Sequence, residues 1–191
     1  MKNKRFLLFS LTSLFVTFLH LLIIPTASSK ELSASSCPIN LGFDISNQMN
    51  EQDCKRYTHS SNNSFYYKSR WKWNDYLSYG EATYYPLKSG FYWLKVHQLN
   101  KDNIKDWHEL RNVRPSKVKD LSCSGHTCFT FADPSGDGNC MVYQRDVNKG
   151  NKLSEVTGAT SNLYGYNCDT GKPSLFTTEE ADKFLGNLDA K

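Results

Sequence analysis

The six cysteines are the residues of this sequence with the most chemistry open to them. A thiolate can ligate a metal, attack an electrophile or pair as a disulfide. Cys123, His126 and Cys128 supply three soft ligands, but tetrahedral zinc requires four, and no fourth follows at a zinc-like spacing. We therefore predict no metal site and no cofactor, and we interpret every cysteine as a disulfide partner: Cys37, Cys54, Cys123, Cys128, Cys140 and Cys168.

The pairing of these cysteines is not determined by sequence alone. Cys37 and Cys54 are isolated from the rest, which favours a bridge between them. Cys140 and Cys168 lie on separate predicted strands and could cross-link them, and the remaining two cysteines would then close a short loop. An alternative joins the last four cysteines differently, as Cys123–Cys140 and Cys128–Cys168.

Catalytic motifs are missing from the sequence. It contains neither an H-E-x-x-H zinc motif nor a G-x-S-x-G nucleophile elbow. The Asp-rich segment 133–139 lacks the spacing of an EF-hand calcium loop, and its Asp, Pro, Gly and Asn residues are typical of a hairpin turn. We expect a protein without enzymatic activity. The alternative is a small secreted hydrolase assembled from dispersed residues, which would require His97 or His108 beside a carboxylate and a nucleophile.

A dense aromatic stretch runs from Phe65 to Trp93, and part of it alternates aromatic rings with Lys and Arg. Alternation of this kind is typical of a half-buried strand. It also occurs on surfaces that stack on bases or sugars. If this stretch forms a recognition surface, the candidate binding residues are Trp71, Trp73 and Tyr76.

The net charge of the chain indicates which class of partner it can bind. The sequence has 23 basic and 19 acidic residues, but three of the basic ones lie within the first five positions. Without that segment the balance is 20 to 19, a net charge of +1. A nearly neutral protein lacks the basic footprint of a nucleic-acid binder, so we expect a protein or carbohydrate partner.

The N-terminus has the organisation of an export signal. A cationic start is followed by an apolar run from Phe6 to Ile24 and then by small residues, which predicts a signal peptide over 1–29 and an exported protein, periplasmic or extracellular. The alternative is an uncleaved membrane anchor over 6–24, with the same topology because the positive end stays in the cytoplasm. Lipidation at Cys37 is a third interpretation.

The remaining chain is long enough for one domain. We predict a polar arm over 30–64 and a single globular domain over 65–191. Strands are expected at 81–85, 91–98 and 163–168, and a hairpin at 128–132 and 139–145. Asp102 or Asn103 could start a short central helix, and Thr177 with Glu180 forms a capping box that predicts a C-terminal helix. The expected fold is α+β, a strand-rich antiparallel sheet with these two helices and disulfide bridges.

The C-terminal part of the sequence resembles the ending of small exported proteins of alphaproteobacteria. The resemblance lies in Cys140-Met141-Val142-Tyr143, in the segment Leu163 to Cys168, and in the link Gly171 to Leu175 before the last helix. It implies a bacterial exported location and a Cys140–Cys168 bridge, and no activity. Together these observations predict a non-enzymatic binding or envelope-associated module.

Overall fold

The computed structural model describes residues 28–42, 46–58, 64–74, 77–86, 98–147 and 161–191. The predicted signal segment before Ser28, the candidate Tyr76 and most of the strand predicted at 91–98 lie outside these ranges. In the residues that the structure describes, no helix combines the length and the apolarity needed to cross a membrane.

Ten strands are described, and eight of them form one antiparallel sheet in the order β1-β3-β4-β5-β9-β8-β7-β6. The strands are β1 (Ser28–Leu32), β2 (Ile39–Leu41), β3 (Met49–Thr58), β4 (Phe65–Trp73), β5 (Ser78–Tyr85), β6 (Lys119–Leu121), β7 (Thr127–Ala132), β8 (Asn139–Val147), β9 (Ser161–Asp169) and β10 (Leu188–Ala190). The predicted antiparallel, strand-rich architecture is therefore confirmed. The polar segment 30–64 supplies β2, β3 and most of β1, and β3 pairs with β4 from Met49 to Thr58.

The sheet consists of two halves that meet between β5 and β9. Strands β3, β4 and β5 follow one another as a meander, with β1 at its edge, and β6 to β9 form a second meander. The predicted hairpin is β7 and β8, joined by a turn in which Gly136 has φ 98°. A positive φ is strained for side chains with a Cβ, so this position suits glycine.

The two faces of the sheet are packed differently because side chains alternate along each strand. We call the face that carries Trp71 the helix face, because Phe184 of the C-terminal helix packs against Trp71, Trp73 and Tyr143 on it. We call the opposite face, which carries Glu81, the tyrosine face. On β7 to β9 it is covered by residues from segment 98–118, including Leu99, Ile104 and Leu110.

The described residues contain one α-helix, α1 (Thr178–Gly186), and its predicted capping box is confirmed. The Thr177 hydroxyl accepts a hydrogen bond from the Glu180 backbone N–H, and the Thr177 backbone N–H donates to Glu180 Oε2 at 2.8 Å. Directly after α1, β10 pairs with β2 in a two-stranded sheet. Both elements bury apolar side chains on the helix face.

The predicted short central helix is not formed as an α-helix. Its residues make two separate 3₁₀ turns, Ile104–Asp106 and His108–Leu110, and a third turn, Pro115–Lys117, follows it. Trp107 interrupts the first two with an extended backbone, φ −75° and ψ 131°. Its ring lies 5.8 Å from that of Tyr164 and 5.9 Å from that of Tyr166, so packing against the sheet replaces a regular helix here.

The first of the two predicted sets of disulfides is present. The bridges are Cys37–Cys54, Cys123–Cys128 and Cys140–Cys168. Cys140 and Cys168 face each other directly on β8 and β9. Three disulfides indicate an oxidising environment outside the cytoplasm.

Candidate functional site

The tyrosine face presents ordered rows of side chains across β3, β4 and β5, because residues paired across antiparallel strands point to the same side. One row consists of Asp53, Arg70 and Glu81, which pair in register. The neighbouring row consists of Glu51, Lys72 and Tyr79. Acids therefore come from β3, cations from β4, and a carboxylate and a phenol from β5.

Glu81 is the buried centre of this arrangement. Its side chain is 1% exposed and lies between two cations, with Lys68 Nζ 2.8 Å from Oε1 and Arg70 Nε donating to Oε2 at 2.6 Å. A buried carboxylate requires such partners because its desolvation is costly. Lys68 and Arg70 carry two positive charges and Glu81 one negative charge, so these three side chains have a net charge of +1.

Arg70 carries that charge into a pocket. Its side chain is 53% exposed, and the hydrogen bond to Glu81 raises the pKa of the guanidinium, which keeps it cationic. Only Nε is used by Glu81, and among the described residues neither Nη group has a hydrogen-bond partner. Guanidinium Nη groups are rigid donors for planar or paired acceptors.

The pocket has a volume of about 320 Å³ and lies between β3, β4, β5 and the second 3₁₀ turn. Five of the nine lining residues carry a charge, and two are tyrosines. The lining residues are Glu51, Asp53, Arg70, Trp71, Lys72, Tyr79, Gly80, Glu109 and Tyr166. This volume lies at the lower end of the range for small-molecule sites.

Tyr79 is fixed in the pocket by its hydroxyl, which donates to Asp133 Oδ2 at 2.9 Å. Burial and the negative charge of Asp133 raise the pKa of Tyr79, so the phenol stays protonated and remains a donor. Its ring lies 6.2 Å from that of Tyr166 in an edge-to-face contact. Burial, followed by the charges of Glu109 and Glu81, also raises the pKa of Tyr166.

The two pocket tyrosines end a continuous line of rings across the tyrosine face. Neighbouring rings in this line have centroid distances between 5.0 and 6.2 Å. In order, the line contains Tyr57, Tyr66, Tyr85, Tyr164, Trp107, Tyr166 and Tyr79. Such ring contacts stabilise this face beyond the energy of area burial alone.

The tryptophans proposed as binding residues lie on the other face. Trp71 is 2% exposed and belongs to the core with Phe184, and its Nε1 donates to Asn167 Oδ1 at 3.3 Å. Its ring lies over Gly80, where a Cβ would be 2.7 Å from the ring atoms. Trp73 is partly buried against the same core. These two rings do not form an exposed row, and Tyr76 lies outside the described residues.

The described histidines do not complete a hydrolytic site. His108 contacts Arg111 at 2.7 Å on the surface, and His97 lies outside the described residues. Ser124, His126 and Asp182 are neighbours, but the serine hydroxyl donates to Asp182 at 2.9 Å, while His126 Nδ1 contacts the Ser124 carbonyl oxygen. In a catalytic triad the serine hydroxyl must instead donate to the histidine.

One cluster contains residue types that can ligate a metal, but its two cysteine sulfurs are bonded to each other in a disulfide. Asp133 lies close to Cys140 and Cys168, and those two cysteines form a disulfide. The two Asp133 oxygens accept hydrogen bonds from Ser135 and Tyr79. This acid therefore supports the predicted hairpin turn.

The sequence does contain a signal for the pocket residues of β4, in the positions that alternate with the proposed tryptophans. Positions 66, 68, 70 and 72 alternate with the tryptophans and therefore share the opposite face. A single Glu within the otherwise uncharged strand β5 is the second indication. Glu109 gives no such indication, because its position depends on how segment 98–118 folds back on the sheet.

No family model matches this chain, and no curated protein and no solved structure matches it either.

Proposed function

We propose that this protein is an exported, non-enzymatic binding module that binds a small ligand in the tyrosine-face pocket. The observation that carries the proposal is Arg70, a half-exposed cation that is held by a buried carboxylate and has two Nη groups without described partners. A rigid donor of this kind in a concave site is typical of ligand recognition.

The place of action follows from the N-terminus and the disulfides. The apolar segment 6–24, the cationic start and the three bridges all fit a protein that crosses the membrane and folds in an oxidising compartment. The C-terminal resemblance to exported bacterial proteins supports a periplasmic or extracellular location.

A binding function without turnover can be tested with the small-molecule fraction of the envelope of the source cells. We expect ¹H–¹⁵N spectra of the protein to shift at Arg70, Lys72 and Tyr79 on addition of this fraction. Mass spectrometry should recover the components of the fraction unchanged. Arg70→Gln should remove these shifts, because the side-chain amide retains polarity but lacks the charge and the guanidinium fork.

The matched control is Arg114→Gln, which removes an exposed arginine outside the pocket lining and should leave the shifts unchanged. Product formation during the incubation would contradict the non-enzymatic proposal. Shifts that cluster elsewhere, or that persist in Arg70→Gln, would contradict the assignment to this pocket.

A further inference from the structure

We infer that the ligand of the tyrosine-face pocket is a neutral carbohydrate, recognised through one sugar ring. This inference rests on the proposed binding function and adds the chemical class of the ligand. Its grounds are the donor and acceptor pattern, the local charge and the aromatic wall of the pocket.

The polar lining places groups that only donate hydrogen bonds beside groups that only accept them. Arg70 and Lys72 can only donate hydrogen bonds, whereas the carboxylates of Glu51, Asp53 and Glu109 can only accept them. A ligand that contacts both sets must donate and accept at neighbouring atoms. A hydroxyl group does both, and vicinal hydroxyls on a ring present several such groups within the reach of one pocket.

The charges around the pocket leave no positive surplus for an anionic ligand. Arg70 and Lys72 oppose three lining acids, Glu51, Asp53 and Glu109. Beneath and beside them, Lys68 neutralises the charge of Glu81 at 2.8 Å and Lys55 lies 3.3 Å from Asp53. Counting these groups gives four cations and four acids, and Glu31, 3.4 Å from Lys55, adds a fifth acid, which disfavours a polyanion.

A zwitterion such as a free amino acid would meet competition at its cationic end. The carboxylates of β3 already have lysine partners, since Lys72 Nζ lies 3.5 Å from Glu51 and Lys55 Nζ lies 3.3 Å from Asp53. At either of these two carboxylates an ammonium group would have to displace the lysine. A hydroxyl can donate to the same carboxylate while the lysine remains.

The aromatic part of the pocket suits the apolar face of a sugar. Tyr79 is half-buried, so part of its ring is accessible, and its hydroxyl is held by Asp133 on the side away from β3 and β4. Tyrosine combines an apolar ring with a polar end, and the C–H face of a pyranose packs against such a ring. The volume of about 320 Å³ fits one ring better than a chain.

The inference can be tested by NMR titration of the oxidised full-length protein. The panel contains glucose, galactose, mannose and N-acetylglucosamine as neutral sugars, glucuronate as a sugar acid, and glycine and lysine as amino acids. We expect one or more neutral sugars to give saturable shifts at Arg70, Lys72 and Tyr79. A ligand of about 12 heavy atoms at the usual efficiency implies a Kd on the order of 1 mM.

Two pairs of variants make the result specific. Tyr79→Leu should weaken sugar binding at least about tenfold, whereas Tyr79→Phe, which keeps the ring, should bind within about threefold of the wild type. Arg70→Gln should also weaken sugar binding at least about tenfold. Arg114→Gln should bind the sugar as tightly as the wild type does. Urea unfolding of each variant verifies that the pocket is still folded.

Saturable binding of an amino acid or of glucuronate in place of every neutral sugar would overturn the inference while leaving the binding function intact. Absence of sugar binding, together with pocket shifts from the envelope fraction, would overturn it in the same way. If neither the panel nor the fraction shifts the pocket residues, the proposed function itself fails.

Discussion

At the scale of single residues, Glu81 holds the tyrosine face together. It is the buried acid between Lys68 and Arg70, and both cations lose a partner if its charge is removed. We expect Glu81→Gln to lower the free energy of unfolding by about 2–3 kcal/mol, less than for a fully buried pair because both cations are partly exposed. Urea unfolding at neutral pH measures this loss.

The control for this prediction is Glu51→Gln, which neutralises an exposed acid of the same face. Its nearest cation, Lys72, is also exposed, at 3.5 Å, so the change should stay within about 0.5 kcal/mol. Equal losses in the two variants would show that Glu81 acts only as one more surface charge.

The sequence separates the two sides of β4 but does not decide which side is exposed. Alternation along β4 predicts that its rings and its cations lie on opposite faces, but not which face is covered. Phe184 of α1 covers the ring-bearing face, more than 100 positions later in the chain. This long-range contact buries Trp71 and leaves Arg70 at the pocket.

At the scale of elements, the cap of α1 couples stability to pH. Partial burial acts to raise the pKa of Glu180, but hydrogen bonds from Lys172 and Thr177 outweigh it, and the net pKa is lowered. A lowered folded-state pKa stabilises the protein above the unfolded value of about 4.3, and this contribution is lost as the pH falls through the folded pKa.

Glu180→Gln should therefore destabilise the protein by about 1 kcal/mol at pH 7 and by much less at pH 3. Glu179→Gln is the control, because this neighbouring acid is exposed and takes no part in the capping box. Urea midpoints at pH 7, 5 and 3 measure the difference. A deficit that stays constant over this range would contradict the role of the Glu180 charge.

The elements were predicted best where local chemistry decides them. Thr177 and Glu180 are three residues apart and interact within one turn, so their pattern identifies the start of α1. The 3₁₀ segment was predicted as a helix that starts at Asp102 or Asn103, and inward-facing Ile104, Trp107 and Leu110 follow at a spacing of three residues. Trp107 instead inserts between rings of β9, and a tertiary contact of this kind outweighs local periodicity.

At the scale of the whole molecule, the three disulfides should contribute unequally. Cys123 and Cys128 are five positions apart, whereas Cys140 and Cys168 are 28 apart and fully buried. In the chain-entropy model, the short loop contributes about 2 kcal/mol and the longer one about 3.5 kcal/mol. We expect Cys140→Ala/Cys168→Ala to be less stable than Cys123→Ala/Cys128→Ala, as measured by urea unfolding without reductant.

Buried cysteines add a packing loss to the first of these double variants, because two core side chains become smaller. Reduction of the wild-type protein opens a bridge without making the side chains smaller. Graded reductant with mass mapping therefore separates the packing loss from the effect of the bridge. Cys123 is partly exposed, so its bridge should open at the lowest reductant concentration. Earlier opening of Cys140–Cys168 would contradict the prediction.

The small sheet formed by β2 and β10 imposes an order on folding. Ile39 and Leu41 near the beginning of the described chain find their partners at Ala190 and Leu188, and the Lys191 backbone N–H donates to the Pro38 carbonyl oxygen. This layer cannot close until position 190 is available. For a chain that passes a narrow channel with its N-terminus first, residues 188–190 must have left the channel before this layer can form, so Ile39 and Leu41 lack these partners until then.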